Sequence, residues 1–99
     1  MIVVLTAEAE ADLEQIADYI AADNPMRALS FVGELRELCE RLAEIPKGFP
    51  LVPRYEHVGI RRSVYGAYLI FCRVAEGQVD VLHILHGAMN YEPLLFPEG

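Results

Sequence analysis

The stretch that decides the fold is Gly59-Ile60-Arg61-Arg62-Ser63-Val64-Tyr65-Gly66-Ala67-Tyr68-Leu69-Ile70-Phe71-Cys72-Arg73-Val74-Ala75-Glu76-Gly77-Gln78-Val79-Asp80-Val81-Leu82-His83-Ile84-Leu85-His86. Three runs rich in β-branched and aromatic residues, Ile60–Val64, Ala67–Ala75 and Val79–His86, are separated only by Tyr65-Gly66 and Glu76-Gly77-Gln78. Connections this short, each holding a glycine, predict antiparallel hairpins and hence a three-stranded meander. Side chains alternate between faces along a strand. Tyr68, Ile70, Cys72 and Val74 therefore share one face, and Leu69, Phe71 and Arg73 the other. In the last strand the same count puts Leu82, Ile84 and His86 together, opposite Val81, His83 and Leu85. Arg73 and His83 are the polar members, which predicts that their face points away from the helices. That face is still markedly apolar, so a further layer is expected to cover it.

Upstream, Ile2-Val3-Val4-Leu5 reads as a short strand and Thr6 as the N-cap of a helix over about Ala7–Ala22, with Glu8 and Glu10 well placed in its first turn. Leu13, Ile16, Ala17 and Ile20 recur at helical spacing on one face, while Glu10, Asp12, Glu14 and Asp18 fall mainly on the other side. Asp23-Asn24-Pro25 ends this helix and caps the next, since a proline at the first helical position loses no needed hydrogen bond. The second helix carries a stripe of Ala28, Phe31, Val32, Leu35, Leu38, Cys39, Leu42 and Ile45, with Arg36–Glu40 and Glu37–Arg41 as i, i+4 pairs, and stops at Pro46-Lys47-Gly48. Two helices with so short a break pack as an antiparallel hairpin. Residues 46–58 hold Pro46, Pro50 and Pro53 and read as a loop. The tail, Tyr91–Gly99, offers Leu94, Leu95 and Phe96 and is expected to be irregular or a single turn. The fold class that follows is α+β: a strand, an antiparallel helix hairpin, then the meander, with the helices packed on one sheet face.

The length of 99 residues fits one domain over residues 1–99, with roughly two-thirds of its unfolded surface buried. The apolar fraction of 54% argues against disorder and suggests apolar surface left for a partner. No apolar run approaches the roughly 20 residues of a membrane helix, and no basic then apolar leader opens the chain, so the cytoplasm is the expected location and no membrane contact is expected. The net charge of −7 is uneven. Residues 1–45 hold ten acids against three bases, residues 46–74 one acid against five bases (Lys47, Arg54, Arg61, Arg62, Arg73), and residues 75–99 four acids and no base. An acidic chain is a poor general nucleic-acid binder, because phosphate affinity rests on Lys and Arg.

No nucleophile elbow, phosphate-binding glycine loop or zinc-protease motif occurs. His83 and His86, three apart in a strand, point to opposite faces and cannot chelate one ion, so no metal site is expected and no cofactor is implied. Cys39 and Cys72 sit in apolar runs and read as core residues. Arg61, Arg62, Arg73, His83, His86 and Tyr91 are the residue types a small ribonuclease uses for phosphate binding and proton transfer.

The sequence resembles the RelE/ParE toxin superfamily over nearly its whole length. Thr6–Ile20 looks like the family's A-x-x-D-L-x-x-I-x-x-Y-I helix. Gly59-Ile60-Arg61-Arg62, Tyr68–Val74 and Val81-Leu82-His83-Ile84-Leu85-His86-Gly87-Ala88-Met89-Asn90 resemble the later parts in order and spacing. Cys72 stands where an aromatic is common and His83 where an arginine is, so His83 brings no fixed positive charge. The acidity, the single lysine and the His-Gly-Ala-Met-Asn ending resemble the ParE branch rather than the RelE branch. That resemblance implies the toxin of a type II toxin–antitoxin system. Its target would be DNA gyrase, inhibited without catalysis, and its partner a ParD-type ribbon-helix-helix antitoxin in a hetero-oligomer, with nucleic acid contacted only through the antitoxin. The alternatives are a ribosome-dependent messenger RNA endonuclease of the RelE type and a non-toxic partner that titrates an antitoxin. Expected antitoxin contacts are Leu13, Ile16, Ile20, Phe31, Leu35, Leu69 and Phe71. Expected target contacts are Arg61, Arg62, Arg73, His83, Met89 and Asn90, with the tail.

Overall fold

A computed structural model describes residues 1–97. In chain order the elements are β1 (Ile2–Leu5), α1 (Ala7–Ala21), α2 (Pro25–Arg41), a one-turn 3-10 helix (Glu56–Val58), β2 (Arg61–Tyr65), β3 (Tyr68–Ala75), β4 (Gln78–His86) and the single-turn α3 (Glu92–Leu95). The meander reverses direction twice, and β1 joins it in parallel beside β4, giving the sheet order β1-β4-β3-β2. The predicted hairpin, meander and short C-terminal turn are all present. Gly66 and Gly77 sit at positive φ in the two β-turns, where a side chain would be strained.

Both caps form as the sequence implies. The Thr6 side chain accepts from the Ala9 N–H at 3.1 Å, and Asn24 accepts from the Arg27 N–H at 3.0 Å. Thr6 does more than cap. Its N–H reaches the Val81 carbonyl at 3.1 Å, and its hydroxyl lies 3.0 Å from the carbonyls of both Val81 and Leu82. The start of α1 is thereby tied to the middle of β4.

That point of β4 carries a β-bulge. Phe71 pairs with His83 but Cys72 pairs with Val81, so Leu82 is an extra residue. One added residue shifts the alternation by one. The strict count is corrected accordingly: Val81 and Ile84 both face the helices, while Leu82 and Leu85 both face the other way. His83 pairs with Phe71 and shares a far-face cleft with Arg73 as expected, but it does not stand free: its Nδ1 lies 2.8 Å from the Asp12 carboxylate of α1. The same carboxylate oxygen accepts the Ile84 N–H at 2.9 Å. β1 pairs β4 only as far as Val81, so beyond that point a side chain of α1 takes over at the strand edge. Asp12, read as a surface acid, is mostly buried here for that reason.

Two cores sandwich the sheet. On the helix side Leu13, Leu35, Cys39 and Leu42 meet Ile70, Cys72, Val79, Val81 and Ile84. Burial pushes the Cys39 thiol up to about 11, and no disulfide forms. On the far side Phe71 and Leu85 lie under Val52, Ile60 and Phe96. The layer that covers the second face is therefore the chain's own loop and tail. Phe96 stacks on Tyr55 with centroids 3.8 Å apart, and Tyr91 packs on Phe71 at 4.8 Å. The helix pairing differs from expectation. Arg36 reaches across to Glu10 of α1 at 2.9 Å rather than along its own helix to Glu40, and this bond holds the Glu10 carboxyl below its usual range. α2 ends at Arg41, short of Ile45, which is exposed.

Two outcomes follow for stability. Phe96→Ala opens the far core and is expected to cost about 3 kcal/mol, read as a lower denaturant midpoint. Asp12→Ala strips the Ile84 N–H of its partner and is expected to cost about 1–3 kcal/mol, with amide exchange of Ile84 accelerated beyond that of its β4 neighbours.

Candidate functional site

The residues expected to meet an antitoxin divide sharply by burial. Leu13, Ile16, Phe31, Leu35 and Phe71 are core side chains, none more than 9% exposed, and Ile20 and Leu69 are half-buried. Their expected exposure is corrected: Phe71 lies beneath the tail, and the other four hold the helix hairpin to the sheet. The exposed apolar side chains instead include Tyr19 (78%), Met26 (75%), Leu29 (74%), Val64, Ile2, Leu94 and Met89 (46%). The signal for three of them was in the sequence: Tyr19, Met26 and Leu29 are large apolar residues lying off the core stripe of an amphipathic helix.

The six residues expected to meet a target are spread over separate places. Arg61 donates to the Phe49 carbonyl at 2.7 Å and Arg62 to the Tyr91 hydroxyl at 2.8 Å. With the Arg54–Glu92 pair at 3.0 Å, these cations lock the loop and tail onto the sheet. Arg73 is exposed and makes no ion pair among the described residues. It lines a shallow cleft on the far face with Glu8, Leu82, His83, Leu94 and Leu95. Arg73 and His83 are thus brought to one cleft. Met89 and Asn90 lie exposed at the exit of β4.

His83 is oriented by Asp12: a carboxylate only accepts, so the ring donates from Nδ1. His86 accepts the Ala88 N–H at 3.1 Å and meets Tyr68 edge-on at 5.4 Å. The two histidines serve different surfaces. Among the described residues no group of three or more His, Cys, Asp or Glu side chains could hold a metal ion, and no helix is long and apolar enough to cross a membrane.

A second concavity of about 470 Å³ opens between α1 and the unpaired end of β4. Its floor is Ile16 and Ile84, and its walls include Tyr19, Tyr68, His86 and Met89. Five acids and no Lys or Arg lie on α1, which forms one wall. Glu10 is neutralised by Arg36, whereas Glu8, Glu14 and Asp18 make no ion pair among the described residues.

Against known proteins, no curated sequence matches the chain. Among solved structures it is similar to a chain of the chromosomal ParDE toxin–antitoxin system from P. aeruginosa, with 27% identity and a TM-score of 0.71 over 87% of this chain and 95% of that one. Residues 3–91 match the family described as the ParE toxin of the type II toxin–antitoxin system parDE. With nearly its whole length so matched, and with the strand, helix hairpin and meander in the same order, the chain belongs to the ParE toxin family.

Proposed function

We propose that this toxin acts by binding rather than by catalysis, that its target is DNA gyrase, and that a ParD-type antitoxin neutralises it. The observation that carries the first point is the dispersal of the cations. Cleavage of a phosphodiester needs positive charge and proton-transferring groups gathered around one phosphate. Here Arg61, Arg62 and Arg54 are spent on the chain's own backbone, tyrosine and carboxylate. Their work is to hold the tail, not to receive a substrate. Arg73, His83, Met89 and Asn90 remain available as target contacts. The antitoxin is supported by the similar chain of a ParDE system, and by apolar side chains that a domain working alone has no reason to expose.

One observation favours the second reading, a ribosome-dependent messenger RNA endonuclease. Arg73 and His83 line the same cleft, and Asp12 fixes the His83 ring as a carboxylate orients the histidine of an acid–base site. Inducing the chain alone in bacteria separates the two. Inhibited supercoiling with intact messages is expected. Cleaved messages with unimpaired supercoiling would establish the endonuclease instead. Arg73→Glu, an exposed change, is expected to relieve growth arrest while the protein remains folded by circular dichroism.

A further inference from the structure

We infer that the far-face cleft around Arg73 takes a dipolar protein segment of the target, one acid and one base with an aliphatic side chain between them, and not the phosphate backbone of a nucleic acid. The inference rests on the reading that the chain works by binding gyrase; it adds which surface does so and what chemistry that surface reads.

Three observations lead there. The first is charge. The cleft, of about 380 Å³, is lined by one fixed cation, Arg73, and one acid, Glu8. Both are exposed, and neither makes an ion pair among the described residues. Across the ladder from Arg73 stands Asp80, whose carboxylate takes the Gln78 amide at 2.6 Å. His83 is held by Asp12 and adds no fixed positive charge. Affinity for a phosphate backbone comes from several cations acting together, and here one guanidinium has Glu8 and Asp80 for neighbours. That guanidinium suits a single carboxylate, which it can grip with two parallel N–H bonds, and Glu8 suits a single ammonium or guanidinium beside it. The second observation is the bed between the charges. It is aliphatic, made of Ile60, Leu82 and Leu95, and Leu82 reaches it because of the bulge in β4. The third is Leu94. In the same turn Leu95 and Phe96 pack into the far core, whereas Leu94 is 53% exposed and lines the cleft. A lone exposed leucine signals little. This one shares a concave surface with an unpaired guanidinium and an unpaired carboxylate, the three groups that a segment of acid, aliphatic and base would meet.

The test uses the full chain with purified DNA gyrase, read as binding in the absence of DNA and as inhibition of supercoiling. The unaltered chain is expected to bind gyrase and not to be retained on plain duplex DNA at about 150 mM salt. Arg73→Gln is expected to weaken binding and inhibition about tenfold, and Arg73→Lys to recover only part of the loss, because an ammonium lacks the two-pronged grip. Glu8→Lys is expected to weaken both several-fold, and Leu94→Ser likewise. All four change exposed side chains, so melting followed by circular dichroism is expected to stay close to that of the unaltered chain. Met26→Ser with Leu29→Ser, on α2 and outside the cleft, is the control and should change affinity less than about twofold. Glu8→Lys that tightens binding, or that makes the chain bind duplex DNA, identifies a phosphate ligand and overturns the proposal. Undiminished inhibition by Arg73→Gln overturns the site while the gyrase reading stands. An equal loss of affinity for a ParD-type antitoxin in the same variants would make the antitoxin the occupant and overturn the proposal. An unaltered chain that neither binds nor inhibits gyrase overturns the gyrase reading, and this inference with it.

Discussion

Everything in this domain leans on β4, a strand that has to be covered on two faces and along one edge at once. Its nine residues are matched by eight in β3 on one side but by only four in β1 on the other. A backbone N–H left at a buried edge costs about as much as a lost hydrogen bond. Thr6 and Asp12 settle that debt from the start of α1, one through the carbonyls of Val81 and Leu82 and the other through the Ile84 N–H. The bulge at Leu82 falls between these two anchors. It lets Val81 and Ile84 both serve the helix-side core while Leu82 and Leu85 both serve the far core. The Asp12 oxygen that accepts the Ile84 N–H also holds His83 Nδ1, so the orientation of this candidate acid–base residue follows from how the strand edge is satisfied.

Which parts were legible in the sequence follows from the range of the interactions involved. The meander was readable because Tyr65-Gly66 and Glu76-Gly77-Gln78 are turns written in adjacent residues. Thr6 and Asn24 were readable because a cap bonds three residues ahead. The bulge was not, since nothing local to Leu82 distinguishes it from its neighbours; it is imposed by pairing with β3 and by the anchor from Thr6. Asp12 looked like one more acid on a wet helix face, because its partners are 71 and 72 residues away in sequence. The candidate site suffered most. Apolar residues at helical spacing announce a core, and Leu13, Ile16, Phe31 and Leu35 are that core. The exposed apolar surface is signalled instead by residues off that stripe, Tyr19, Met26 and Leu29.

The far face carries the same lesson about cover. Leu69 and Phe71 made β3 apolar on both sides, which demanded a second layer without saying whose. The chain supplies it. Pro46, Pro50 and Pro53 keep residues 46–55 irregular as far as the single turn Glu56–Val58, and the loop lies across the sheet with Val52 buried. The tail returns over it with Phe96 on Tyr55 and Tyr91 on Phe71. Aromatic contacts of this kind add about 0.5–1.5 kcal/mol beyond the area they bury.

This self-covering has a consequence for how the molecule can meet others. Three of the five cations that make residues 46–74 positive, Arg54, Arg61 and Arg62, fasten loop and tail, and Lys47 and Arg73 stay exposed. What faces outward is an acidic helix pair with exposed Tyr19, Met26 and Leu29 and a trough beside β4. Exposed apolar area invites a partner but does not choose one; specificity comes from groups that would be repelled or left unpaired in the wrong complex. The fold thus commits Arg54, Arg61 and Arg62 to the covered face, and leaves Glu8, Glu14 and Asp18 of α1 exposed without an ion pair among the described residues.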